Sequence, residues 1–188
     1  MKIISLIVKI ITLPGAILHT FFEHLCCRTC KVLVDDAATI RFDEMLSHVD
    51  HQLVKRKGAS FDICFVPFLL NLVFAFLLLA NGSTMILYSG HYENVFNWIC
   101  LYLGFSLSCN LFPQREDIYM LKDNFYGKGK KVNIFAKIIV APFYLIFRIG
   151  NLLEDTGLII FTSAAFAYFV PYILGTFVPR LYDLLSEI

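Results

Sequence analysis

No charged residue occurs between Phe65 and Tyr88, nor between Leu158 and Val178. A helix rises about 1.5 Å per residue, so about 20 mainly apolar residues cross a hydrocarbon core about 30 Å thick. Runs of this length leave little choice but a membrane helix, because a backbone in lipid must satisfy its own hydrogen bonds. The rest of the 188-residue chain agrees, with 58% of it hydrophobic and 16% charged. Soluble domains stand nearer about 45–50% apolar and about 25% charged. The same figures exclude a disordered chain, and a net charge of +1 argues against a nucleic-acid binder.

Three further stretches approach the spanning length, Ile3–Phe22, Val95–Phe112 and Val132–Leu153, and the two strongest extend over Phe65–Tyr88 and Leu158–Leu181. The expected fold is therefore all-α: a polytopic integral membrane protein, one membrane domain over residues 1–188, with four or five membrane helices. Pro14 and Pro142 interrupt the first and fourth segments. Lys9, the Pro14-Gly15 break and the lack of a small-residue cleavage site before His24 make the first segment mature structure rather than a signal peptide.

Sidedness follows from the basic residues. The loop 26–62 holds Arg28, Lys31, Arg41, Lys55, Arg56 and Lys57, and the loop 113–131 holds Arg115, Lys122, Lys128, Lys130 and Lys131. Neither Ser89–Asn94 nor Glu154–Gly157 contains lysine or arginine. The positive-inside rule places both long loops and Arg180 in the cytoplasm. Five full spans would put Lys2 and Lys9 outside. A first segment that enters and bends at Leu13-Pro14-Gly15 without crossing avoids this, and both arrangements stay open. Tyr88, Tyr92, Phe96, Trp98 and Tyr102 form an expected aromatic belt at the outer interface.

Ionisable residues near membrane depth are costly and mark candidate sites. His19 and Glu23 lie four apart on one helix face, with His24 about 100° round from Glu23. Imidazole and carboxylate are ligands for divalent metals. The competing account ends the helix at the headgroups with Glu23 and His24. A second constellation, Cys27-x-x-Cys30 followed by His48-Val49-Asp50-His51, has the ligand types of a tetrahedral zinc set, and His48 and His51 stand one helical turn apart. Those histidines equally suit completing a site with Glu23 and His24. Cys64, Cys100 and Cys109 fall in or beside apolar helices and read as packing residues.

The run Leu13-Pro14-Gly15-x-x-Leu18-His19, taken with Asn110-Leu111-Phe112-Pro113-x-x-x-Asp117, resembles small membrane proteins distantly related to site-2-type zinc metallopeptidases. The resemblance covers about Leu13–Cys30 and Leu103–Leu121. It implies zinc and brings Asp117 into the ligand set. The chain departs from the family where the general-base glutamate and the second histidine would stand, carrying Thr20 and Glu23 instead. The expected function is thus an integral membrane protein with a divalent-metal site, related to membrane metallopeptidases without their usual proteolytic mechanism. Its ligands would come from His19, Glu23, His24, His48, His51 and Asp117, and no catalytic residue is assigned. A small channel or transport subunit is the alternative resting on Lys9, Lys137 and Arg148. A structural or partner-binding membrane protein is the third. Expected partners are the lipid bilayer and either a membrane protein or a second copy of the chain.

Overall fold

The computed structural model describes residues 2–36, 50–127, 129 and 132–177. Its elements are α1 (Lys2–Ile11), α2 (Leu13–Thr29), β1 (Val34–Asp36), β2 (Asp50–His51), α3 (Lys57–Ser83), a π-helical turn (Thr84–Tyr88), α4 (Val95–Cys109), α5 (Arg115–Tyr126), α6 (Ile134–Thr156) and α7 (Ile159–Phe177). The fold is all-α, and β1 with β2 is the sole extended pairing among the described residues. Three helical runs are long and apolar enough to cross a membrane: Lys57–Leu87, Ile134–Thr156 and Ile159–Thr176. Val95–Cys109 is apolar but shorter. The chain is a membrane protein of the polytopic type that its apolar runs foretell.

The distribution of polarity is the reverse of a water-soluble core. Asn71, Ser83, Thr84 and Ser106 are fully buried, while Phe135, Phe161, Ile138 and Tyr172 are more than half exposed. Hydrocarbon outside the bundle accounts for the apolar surface, and hydrogen bonding inside it accounts for the polar residues. α3 forms the axis and touches α2, α4, α5 and α7. Its seam with α4 is close because a Cβ on Gly82 would overlap the backbone of Leu101. Small residues permit this approach, and in lipid the packing it allows is a main source of helix association. Toward the other end of α3, Cys64 packs with Ile118, Leu121 and Phe125 of α5 and with Val140 and Phe147 of α6.

The first segment is interrupted at the expected place. Thr12 separates α1 from α2, and Pro14 stands in the first turn of α2. Proline gives no N–H to the preceding turn, so carbonyls here need other donors. α4 supplies them. The Tyr102 hydroxyl donates to the Ile11 carbonyl at 2.8 Å, and Ser106 Oγ donates to the Thr12 carbonyl at 2.9 Å. Asn110 Nδ2 reaches the same carbonyl at 3.2 Å and Thr12 Oγ1 at 2.9 Å.

The fourth segment differs from expectation, since α6 runs unbroken through Pro142. The chain turns where the fourth and fifth apolar stretches part, at Gly157, whose φ of 76° caps α6 in the left-handed conformation and redirects the chain into α7. The stretch from Lys9 to Pro14 thus holds a helix break, whereas that from Lys137 to Pro142 lies within a continuous helix. Asp155, at the end of α6, forms an ion pair with Arg115 at the start of α5. The two long basic loops meet, for Asn124 Nδ2 donates to the Val54 carbonyl at 2.7 Å. Arg41, His48, Lys128, Lys130, Lys131 and Arg180 lie outside the described residues.

Candidate metal centre

α2 buries Gly15, Ala16, His19, Thr20, Glu23, Cys26 and Cys27. Steps of three and four residues lay these on one stripe facing α3 and α4, which is why Glu23 points inward despite its charge. Asp117 enters from the first turn of α5, where a carboxylate complements the helix dipole. It is nonetheless only 3% exposed, a depth that solvation of a helix start does not require. His51 arrives from the long loop. Its backbone pairs with Val34, and the Gln52 N–H donates to the Leu33 carbonyl at 3.0 Å. This short ladder ties the returning loop to the end of α2.

Three separate parts of the chain thus converge. One ligand atom from each of Glu23, His51 and Asp117 lies within 4.8 Å of the other two. His51 Nε2 stands 2.9 Å from Asp117 Oδ1, and those side chains are 6% and 4% exposed. On its other side the ring meets the Gln52 carbonyl, 3.1 Å from Nδ1. A carbonyl oxygen only accepts, so Nδ1 must carry a proton. Nε2 then faces a carboxylate, and only a positive species between them is favourable. A second ring proton fills that role, and so would a metal ion. Burial by itself lowers the His51 pKa, but the hydrogen bond and charge of Asp117, helped by the Gln52 carbonyl, raise it above the ordinary imidazole value.

The donor set suits a divalent cation. Two carboxylates and one neutral imidazole carry two negative charges, which a divalent ion cancels in a buried place where net charge is costly. Ligands at about 2.1 Å from a tetrahedral ion lie about 3.4 Å from one another, so small rotamer adjustments would close the present cluster.

The other expected ligands fall elsewhere. His19 lies one turn from Glu23 on the same stripe but turns to Asn71, whose Nδ2 is 2.8 Å from His19 Nδ1. His24 is half-buried and, among the described residues, not part of the converging group. His48 is outside the described residues. Cys27 packs with Val54, Ala59 and Ile63, and of the expected Cys27-Cys30-His48-His51 set the three described members, Cys27, Cys30 and His51, do not form a ligand cluster. His51 leaves it because the β-ladder turns the imidazole toward α5. Lys137 and Arg148 sit against α5 as well, Arg148 with its guanidinium 5.3 Å from the Tyr119 ring centre.

Sequence reasoning missed the network next to the site. Asn71 Nδ2 also donates to the Asn110 carbonyl at 3.0 Å, and Asn110 donates on to Thr12. The signal was present: Asn71 is an amide inside an uncharged apolar run, a place where a polar side chain needs a partner. No family model, curated protein or solved structure matches this chain.

Proposed function

We propose that the chain is a multi-pass membrane protein that holds one divalent metal, zinc by preference, through Glu23, His51 and Asp117. The observation that carries this reading is the convergence of three ligand atoms within 4.8 Å from a membrane helix, a loop and a second helix. Both long basic loops contribute to the site, and the positive-inside rule favours the cytoplasmic face for it. His51 is held for the task by the Gln52 carbonyl, which keeps Nδ1 protonated and leaves Nε2 as the ligand atom. Asp117 and Glu23 neutralise the ion from opposite helices. With three protein ligands, bound zinc supplies a Lewis acid with an open coordination position. The resemblance to site-2-type metallopeptidases agrees with a metal here, but the family's general-base position holds Thr20. The reading is a metal-site relative of those proteins without their proteolytic step.

Elemental analysis of the purified full chain tests it. The wild type should retain about one zinc per chain, and Glu23→Gln combined with Asp117→Asn should lower this at least tenfold. Helical circular dichroism of the double variant, unchanged, separates lost ligation from lost folding. Equal metal content in wild type and a folded double variant would overturn the assignment.

A further inference from the structure

α6 presents two opposite faces. Ile134, Ile138, Leu145, Ile149 and Leu152 recur at steps of three, four and seven, and each is at least 50% exposed. Turned the other way are Lys137, Val140, Phe147, Asn151 and Asp155, and α5 covers that side from end to end. Tyr126 donates its hydroxyl to the Lys137 carbonyl at 2.8 Å near the start of α6. Midway, Arg148 Nη1 donates to the Tyr119 hydroxyl at 3.3 Å. At the far end Arg115 Nε donates to Asn151 Oδ1 at 3.3 Å and pairs with Asp155. α5 therefore runs antiparallel along α6 and shares its depth throughout.

The outer face of α5 exposes Arg115, Glu116, Lys122 and Asp123. If α6 crossed the bilayer, this charged face would lie in hydrocarbon, where side chains of these types are rarely found exposed to lipid. A helix with a broad apolar stripe and a charged opposite side instead rests in the plane of the interface. We infer that α6 does not cross but lies along the headgroup boundary, its Ile134–Leu152 stripe in the acyl chains and α5 on the aqueous side. Its ligand is the lipid surface. α1 packs beside α6 and extends the same surface with Ile7 and Ile10, which are 51% and 50% exposed. Membrane crossing is then left to α3, α4 and α7. The loop 113–131 and the α6–α7 junction fall on one side, which accounts for the Arg115–Asp155 pair.

Nitroxide labels on Ile134→Cys, Leu145→Cys and Leu152→Cys test this, each made in the full chain with Cys30→Ser and reconstituted in phosphatidylcholine vesicles. The remaining native thiols are buried. Depth is read from relaxation by oxygen against a water-soluble nickel chelate, with Leu77→Cys on α3 as the deep reference. The expected result is one shallow depth of about 5–10 Å at all three α6 positions. A crossing helix would rise about 27 Å over the same stretch, with Leu145 nearest the bilayer centre. That profile would overturn the inference. So would labels shielded from both oxygen and nickel, which would mean that protein, a second copy included, covers the stripe.

Discussion

At the scale of single residues, His51 is the group on which the cluster turns. Its ring is fixed by the Gln52 carbonyl on one side and by Asp117 on the other, at 3.1 and 2.9 Å. In metal-free protein the imidazolium form satisfies both contacts, and its folded-state pKa is accordingly raised. A raised pKa means that the stabilisation is complete below the ordinary imidazole value of 6.5 and is lost as pH climbs through the folded value. Chelator-treated wild type should thus show a denaturant midpoint that falls as pH rises above the ordinary imidazole value of 6.5. In His51→Gln that slope should flatten. An unchanged slope in the variant would show that the His51–Asp117 contact does not drive it. The sequence marked His51 and Asp117 separately, one by its place in His-x-x-His and one through the Phe-Pro motif. It offered no way to prefer His51 over His48 or His24, because a loop has no periodicity that fixes which side chain turns inward. The β-ladder with Val34 holds His51 at the site.

At the scale of elements, the decisive packing is α2 against α4. Gly15 gives its N–H to Ser106 Oγ at 2.8 Å, and a Cβ there would overlap the Ser106 backbone carbonyl. A backbone group cannot swing aside as a side chain does. Gly15→Ala should therefore destabilise the protein by about 1–3 kcal/mol, the usual cost of overpacking. Equilibrium unfolding in detergent, followed by helical circular dichroism, measures this, and a change below about 0.5 kcal/mol would contradict the close approach. Pro14 made this break legible, as a proline followed by glycine within an apolar run. Pro142 suggested a break that is absent, for α6 loses one backbone bond there without bending into a new helix. The turn into α7 comes where the two apolar runs part, at Glu154–Gly157, and Gly157 makes it in a left-handed conformation. α5 carries helix signals of its own, Pro113 just before it and Glu116 and Asp117 in its first turn. That it would lie along α6 was not legible, because residue spacing within two helices does not say that they are neighbours.

At the scale of the whole molecule, polar residues gather inside and apolar ones face outward, and that much follows from the length of the uncharged runs. The two lysine- and arginine-rich loops dock on each other through Val54 and Asn124. The convergence of Glu23, His51 and Asp117 depends on that docking, since it joins residues far apart in the chain. A purely structural role for the trio would need nothing beyond a proton, whereas the proposed role requires an ion with an oxygen and nitrogen shell. Zinc-edge X-ray absorption of the purified full chain distinguishes these most directly. The account predicts a first shell of oxygen and nitrogen at about 2.0–2.2 Å with the scattering of a single imidazole. A sulfur shell at about 2.3 Å, or no bound zinc at all, would contradict it.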